Sequence, residues 1–373
     1  MRNEAFSEVK GRLGFGYMRL PIENGSFDTP SVNDMADRFM ELGFSYFDTA
    51  YVYTGSEEAL RESIVKRYPR DRFQIATKLA IMMGITKPEQ QREQFDISLS
   101  RLGVDFVDYY LIHGLDNNFI NLADELDTWS YMRAIKAEGK ARHIGFSYHG
   151  TPELLDTILA EHPELEFVQL QINYLDWENP KVRSRELYET ARKYNKPIVI
   201  MEPCKGGLLA GEASNAAKLM SEYNPDSSVA SWAFRYVLDL DGVEVVLSGM
   251  GRPYELEDNA KTVNGHTPLT EAERKIIEEA VVCINETPRV PCTACKYCVE
   301  HCPKNIGIPQ FIGYHNDYLV HKEKSSVKYH YDVSAGFGTS PAECVKCRIC
   351  ETHCPQHIAI ADVLEELVRE MGN

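Results

Sequence analysis

One cysteine spacing occurs twice near the C-terminus, and it restricts what that part of the chain can fold around. The first block reads Cys292-x2-Cys295-x2-Cys298-x3-Cys302-Pro303 and the second Cys344-x2-Cys347-x2-Cys350-x3-Cys354-Pro355. Eight of the ten cysteines lie in these blocks. Three sulfurs at successive x2 steps are close enough along the chain for a short loop to wrap one cubane cluster, and the spacing is that of a 4Fe–4S site. Structural zinc takes two CxxC pairs from separate hairpins, which leaves a third cysteine at the next x2 step without a role. Disulfides require an oxidising compartment, and Met1 to Lys10 lacks the apolar run of a signal peptide. The expected occupants are two 4Fe–4S clusters. Cys204 and Cys283 fall outside the pattern and read as packing or loop residues.

The repeat fills only the last quarter of 373 residues, so a larger domain precedes it. A net charge of −16 argues against nucleic acid and against anionic membrane surfaces as partners. No run of eighteen apolar residues exists to span a membrane. The cytoplasm is the expected location, and cluster chemistry suits an anaerobic or low-oxygen setting.

Residues 12–265 alternate strand-like and helix-like segments. Candidate strands are Leu13–Gly16, Ser45–Asp48, Phe73–Thr77, Phe106–Ile112, Ala141–Ser147, Phe167–Ile172, Pro197–Met201 and Val243–Leu247. Several are near-continuous apolar runs, as parallel strands covered on both faces must be. Met35, Phe39 and Leu42 recur at helical spacing, and Thr151-Pro152-Glu153 opens a helix with Thr as N-cap and Pro at N1. Further helices are expected at Pro180–Tyr194, Val229–Leu238, Tyr254–Val263, Leu269–Glu279 and Ile358–Glu370. Eight strands, each followed by a helix, predict a (β/α)8 TIM barrel, and the length suits that fold. A doubly wound open sheet would be unusually large, and no GxGxxG opens a helix. The expected domains are residues 1–285, a barrel, and 286–373, a small α+β two-cluster domain. Between the Cys blocks, residues 303–343 read as one helix and a loop, with Ser334–Ser340 as the loop.

Catalytic groups of a TIM barrel collect where strands end. The second expected strand ends at Asp48, with Tyr53 five residues on, the third with Lys78 and the fourth with His113. The four residue types make a coherent proton-donor site. Free tyrosine, with a pKa near ~10, is a poor acid at neutral pH, and a neighbouring ammonium stabilises its phenolate. Asp48 would hold Lys78 in place, His113 would orient a carbonyl, and Tyr53 would protonate its oxygen while hydride reaches carbon. Each residue alone has a structural explanation. Placement of all four on consecutive strands makes the joint reading catalytic.

These stretches resemble the aldo-keto reductases. The matching segments are Leu13-Gly14-Phe15-Gly16, Phe47-Asp48-Thr49-Ala50-Tyr51-Val52-Tyr53, Gly55-Ser56-Glu57, Thr77-Lys78, Ile112-His113, Ile144-Gly145-Phe146-Ser147, Gln171-Ile172-Asn173-Tyr174 and Val246-Leu247-Ser248-Gly249. With its cysteine blocks, the whole chain is similar to the branch carrying a C-terminal dicluster ferredoxin-type domain. In bacterial two-cluster ferredoxins the fourth cysteine ligates the other cluster. The resemblance therefore implies one cluster on Cys292, Cys295, Cys298 and Cys354, and another on Cys344, Cys347, Cys350 and Cys302. It also implies NADPH or NADH extended across the barrel mouth. Ser147 and Gln171 map onto carboxamide-binding positions. Glu202, Pro203, Lys205, Gly206 and Leu208 fall beside the pyrophosphate, and Ser248, Gly249, Met250, Arg252, Glu257 and Asn259 at the adenosine end.

Departures from the family pattern are Tyr148 in place of Asn, Met201 in place of a stacking aromatic, and Gly249 and Glu255 where a Lys and an Arg would grip a 2′-phosphate. The last pair leaves NADH as well supported as NADPH. The expected activity is NAD(P)H-dependent oxidoreduction of a carbonyl/alcohol pair, with the clusters serving electron transfer or stability. The alternative is a redox-sensing or electron-transfer module whose barrel binds nucleotide for regulation. Hydride moves two electrons together and each cluster normally one, so the sequence shows both chemistries without a link between them. A small ferredoxin or flavodoxin would suit such clusters as a partner.

Overall fold

In the computed structural model, residues 2–23, 26–212 and 214–371 are described. The outer domain limits expected at 1 and 373 fall outside them. Two compact units are present: Met1–Pro203 with Ala230–Thr270, and Cys204–Val229 with Glu271–Asn373.

The first unit is a closed barrel of eight strands, each hydrogen-bonded to its sequence neighbours and the last to the first. The strands are β1 (Leu13–Gly16), β2 (Tyr46–Asp48), β3 (Gln74–Leu79), β4 (Val107–Leu115), β5 (Ala141–Tyr148), β6 (Phe167–Gln171), β7 (Ile198–Met201) and β8 (Val243–Ser248). Every pairing is parallel. Barrel layers of side chains inside and helices outside bury both faces, which is why these strands read as apolar runs without alternation. Gly14 marks the tightest approach on β1. A Cβ there would lie 2.7 Å from both Leu247 and Val245 side chains on β8.

One end of the barrel is closed by the N-terminal turn Glu4–Phe6. Phe6 is fully buried and stacks on Tyr109 at 4.9 Å between ring centroids, with Phe167 edge-on at 5.5 Å. Together with Tyr46, Leu111, Val199 and Val245 these rings make an apolar floor. The predicted helix start at Thr151 is present: its side chain accepts from Leu154 N–H, and Pro152 occupies the first turn. A short antiparallel pair, Ile22–Glu23 with Ser26–Phe27, follows β1; the Asn24-Gly25 dipeptide between them is a hairpin signal that sequence reasoning passed over.

As a compact unit the second one gathers the segment Cys204–Val229, from the barrel's seventh β/α step, with Glu271–Asn373. The cause is packing: helix Asn215–Tyr223 lies against helix Glu271–Glu286. The stretch between the Cys blocks forms two helices, Ile308–His321 and Lys324–Phe337, not one helix and a loop. The second runs to Phe337 through the expected loop because Tyr331 is buried against Phe311 and Ser334 Oγ lies 2.8 Å from the Tyr314 hydroxyl. Regular pairing in this unit reduces, among the described residues, to one parallel bridge, Ile306 with Thr339. Its core is Ile306, Ile308, Phe311, Ile312, Val327, Tyr331, Ile358, Ile360, Leu364 and Leu367, together with Cys298 and Cys350.

Candidate active site and cluster sites

Asp48 is the last residue of β2 and Lys78 the penultimate residue of β3, and adjacent parallel strands carry them to the same end of the barrel. Lys78 Nζ donates to Asp48 Oδ1 at 2.7 Å and to the Thr49 carbonyl at 2.6 Å. Lys78 is fully buried and Asp48 nearly so. Burial pushes the Asp48 carboxyl above its ordinary range, and the Lys78 ammonium opposes that shift. Among the described residues Asp48 Oδ2 accepts no hydrogen bond, so the carboxylate is held through Oδ1 by Lys78.

Tyr53 sits in the turn after β2, closed by its N–H to the Ala50 carbonyl at 3.0 Å. Its ring centroid is 5.2 Å from Lys78 Nζ. His113 approaches the same ring edge-on, with centroids 5.7 Å apart and planes at 86°. Sequence reasoning ended β4 before His113, whereas the strand continues to Leu115 with a register shift between Ile112 and Leu115. Such an irregularity re-aims a side chain, and here Gly114 supplies the left-handed turn at φ +60°. Burial holds the His113 imidazole well below its ordinary pKa, with the nearby Lys78 charge acting in the same direction. It is therefore neutral at pH 7. The structure thus brings Asp48, Tyr53, Lys78 and His113 together.

The residues expected around the nicotinamide are spoken for by hydrogen bonds that fix them. Ser147 Oγ accepts from Gly114 N–H at 2.8 Å, tying β5 to the irregularity beside His113. Gln171 Nε2 and Asn173 Nδ2 both donate to Asp176 Oδ2 at 2.8 Å. Asp176 is fully buried, and sequence reasoning passed over it. The only local signal was a carboxylate five residues after Gln171 in a strand-end loop. Tyr148, the departure from the family pattern, is buried, with its hydroxyl on the Thr151 carbonyl at 2.7 Å.

At the other expected contacts, Glu202 adopts φ +55°, its carbonyl accepts from Asn173 Nδ2, and its carboxylate lies 3.5 Å from Arg19 Nη2. Pro203 is buried. The Arg19 stem packs against Gly249, where a Cβ would lie 3.0 Å from Arg19 Cδ. Ser248 Oγ accepts from Asn259 Nδ2 at 3.0 Å, and Met250 is buried. Arg252 is exposed and Glu257 pairs with Arg38. Glu255 Oε2 accepts the N–H groups of Gly251 at 2.8 Å and Arg252 at 3.2 Å, where helix Pro253–Asn264 begins. Lys205, Gly206 and half-buried Leu208 belong to the second unit, and Lys205 is buried there.

The two cysteine blocks fold alike. Ala294 and Lys296 are left-handed, as are Lys346 and Arg348 at the same offsets, and Asn305 and His357 three residues after each fourth cysteine. Non-glycine residues hold this conformation at a cost, and in the first block the Ala294 N–H donates to Cys292 Sγ at 3.4 Å. Each block then enters a short helix, Tyr297–Glu300 or Ile349–Thr352. Cys302, Cys344, Cys347 and Cys350 line one cavity with Ile306, Ile308 and Leu364. Burial pushes the Cys350 thiol up to about 12, with Cys302, Cys344 and Cys347 adding to it after Glu351. Burial likewise raises Cys298, and the sulfurs acting on it are, in order, Cys295, Cys354, Cys292 and Cys350. Cys302 thus stands with the first three cysteines of the other block, and Cys354 is among the sulfurs around Cys298. A largely apolar lining, edged by Lys304 and Arg348, with four cysteine sulfurs fits an iron–sulfur cluster in which each iron takes one thiolate.

The chain belongs to the aldo/keto reductase family: residues 12–282 match that family, and residues 291–360 match the 4Fe-4S dicluster domain. It is similar to aldo-keto reductase str7 of Strobilurus tenacellus, 32% identical over 212 residues, which are 54% of this chain and 60% of that relative. It is also similar to the NADH-specific methylglyoxal reductase of Escherichia coli, 22% identical over 316 residues, covering 72% of this chain and 94% of that one. Among solved structures, an aldo-keto reductase of Bacillus halodurans in its holo form superposes with a TM-score of 0.58 at 25% identity, over 72% of this chain and 91% of that chain. No helix among the described residues is long and apolar enough to cross a membrane.

Proposed function

We propose that the barrel is an NAD(P)H-dependent oxidoreductase of a carbonyl/alcohol pair, with Tyr53 as proton donor, and that the second unit carries two 4Fe–4S clusters on the crossed cysteine sets. The observation that carries this reading is the Lys78 ammonium, buried between the Asp48 carboxylate and the Tyr53 ring. In a buried site a cation beside a phenol favours the phenolate, so the proton on the Tyr53 hydroxyl becomes easier to give up. Asp48 keeps Lys78 from moving away and balances its charge. His113, neutral, offers an N–H to the substrate oxygen without adding a second positive charge. A bound nicotinamide would supply the hydride and the clusters one-electron capacity. Ser147, Gln171 and Asn173 are the residues to hold the carboxamide end, kept in register by Gly114 and Asp176.

Glu255 already satisfies the N–H groups that open the helix at the expected adenosine end. A second anion there meets repulsion, which favours NADH over a nucleotide with a 2′-phosphate. The test is Tyr53→Phe in the intact, anaerobically purified protein, assayed with NADH and methylglyoxal, the substrate class named for the Escherichia coli relative. Turnover is expected to fall by ~10²–10⁴-fold with nucleotide binding retained; unchanged turnover overturns the assignment. One observation favours the second reading, a nucleotide-responsive redox module: the segment after β7 is packed in the cluster-bearing unit. That reading requires bound NADH to shift a cluster potential in the Tyr53→Phe variant.

A further inference from the structure

A buried lysine lies at one of the two crossed ligand sets, and among the described residues no buried lysine stands at the matching positions of the other. Lys205 is 4% exposed and begins the turn Lys205–Ala210 with φ +45°, followed by Gly206 and Gly207, also left-handed. Its Nζ donates to Gln356 Oε1 at 3.0 Å, across 151 residues of chain. Gly206 is equally committed. A Cβ there would lie 2.7 Å from Thr293 Cβ and 2.8 Å from Thr293 Cα, so glycine is what lets the turn approach.

Both contacts converge on one ligand set. Thr293 follows Cys292, and Gln356 stands two residues after Cys354. The Cys354 sulfur receives backbone N–H groups from Ile358, Gln356 and His357. Lys205 is thus fastened to the side chain of a residue whose own N–H reaches a ligand sulfur. At the matching offsets of the other ligand set stand Val345, 55% exposed, and Lys304, also exposed, which with exposed Arg348 lines the cavity of those four cysteines, so the cations on that side are in water. The folded repeat is symmetric in backbone, and Lys205 breaks that symmetry on one side.

A 4Fe–4S cluster gains one negative charge on one-electron reduction. A nearby fixed cation and N–H bonds to its sulfurs stabilise the reduced form, and burial opposes it. We propose that Lys205 raises the reduction potential of the cluster held by Cys292, Cys295, Cys298 and Cys354, and of that cluster alone. Lys205 comes four residues after the end of β7. The loop that the family resemblance assigns to the nucleotide therefore also carries the charge that tunes a cluster. The inference rests on the crossed ligation proposed above and not on hydride transfer.

The experiment is an anaerobic dithionite titration of the intact, cluster-loaded protein, with the two clusters followed by electron paramagnetic resonance. In Lys205→Met one midpoint should fall by at least a tenfold change in the reduced-to-oxidised ratio, about 59 mV for one electron, while the other stays. Lys205→Arg should restore it. Movement of neither midpoint, equal movement of both, or failure of Lys205→Arg to restore overturns the proposal. Iron and sulfide content accompany each variant. Loss of one cluster in Lys205→Met and Lys205→Gln but not in Lys205→Arg supports a charge requirement, and loss in all three makes the residue structural and overturns it. Cys354→Ala identifies which midpoint belongs to this ligand set, so a wrong ligation is recognised separately. Tyr53→Phe, the test of the barrel chemistry, leaves both midpoints in place.

Discussion

The barrel and the cluster unit put their chemistry in opposite places. In the barrel, the Asp48, Tyr53, Lys78 and His113 group stands at the strand ends, above an apolar interior that is complete without it. In the cluster unit, Cys298 and Cys350 belong to the hydrophobic core, and Cys292, Cys302, Cys344 and Cys354 pack against it. A site at the edge of a core can be altered without loss of the fold. A site that is the core ties the fold to its occupant, because ligands around an absent metal leave a cavity and unpaired thiolates.

The largest expected effect tests that difference directly. Removal of iron from the intact protein by a chelator should abolish hydrogen-exchange protection in helix Ile360–Met371, whose Leu364 and Leu367 face the cluster core. Protection in β3, Gln74–Leu79, should remain. Equal loss in both, or in neither, would break the contrast.

Next in size is a change confined to the barrel floor. Phe6→Ala removes a fully buried ring from among Tyr46, Tyr109 and Phe167. The barrel transition in urea should lose about 3–5 kcal/mol, with the cluster spectra unchanged. A loss under ~1 kcal/mol would show that the N-terminal turn is dispensable to the core.

The smallest effect concerns proton uptake. His113 is held well below its ordinary value of 6.5, mainly by burial. The unfolded chain therefore binds a proton that the folded barrel refuses, and stability falls as pH drops below ~6.5 at a limiting slope of about 1.4 kcal/mol per pH unit. The contribution is fully present above that value. Between pH 7.5 and 5.5 the wild-type barrel should lose ~1 kcal/mol more than His113→Asn in paired urea titrations. Identical pH profiles would mean that His113 gains a proton freely in the fold.

Most of the barrel was legible because its signals are local. Strand β1 and helix Val229–Leu238 fall where periodicity placed them, and the other strands differ by a few residues at their ends. The meeting of Asp48, Lys78 and His113 was legible for the same reason: a strand end is a sequence position, and three successive strands carry them at or near their ends. The β4 irregularity that aims His113 was not legible, since it depends on register against β5. Asp176 was missed because its role is to hold Gln171 and Asn173, a matter of contact rather than motif. Helix Lys324–Phe337 was misread as partly loop, because its Ser334–Phe337 end is held by Tyr314, on another helix.

The sequence by itself determined the paired cysteine blocks, the eight-strand alternation and the four residues of the candidate active site. Spacing and periodicity express backbone geometry over a few residues, and those are fixed before any long-range contact forms. Only the tertiary structure decided that Cys204–Val229 leaves the barrel's company for the cluster unit, and that Lys205 is buried on Gln356. Nothing within a few residues of a lysine says whether its charge will be in water or inside. That depends on what the rest of the chain brings to it, and here the partner comes from 151 positions away.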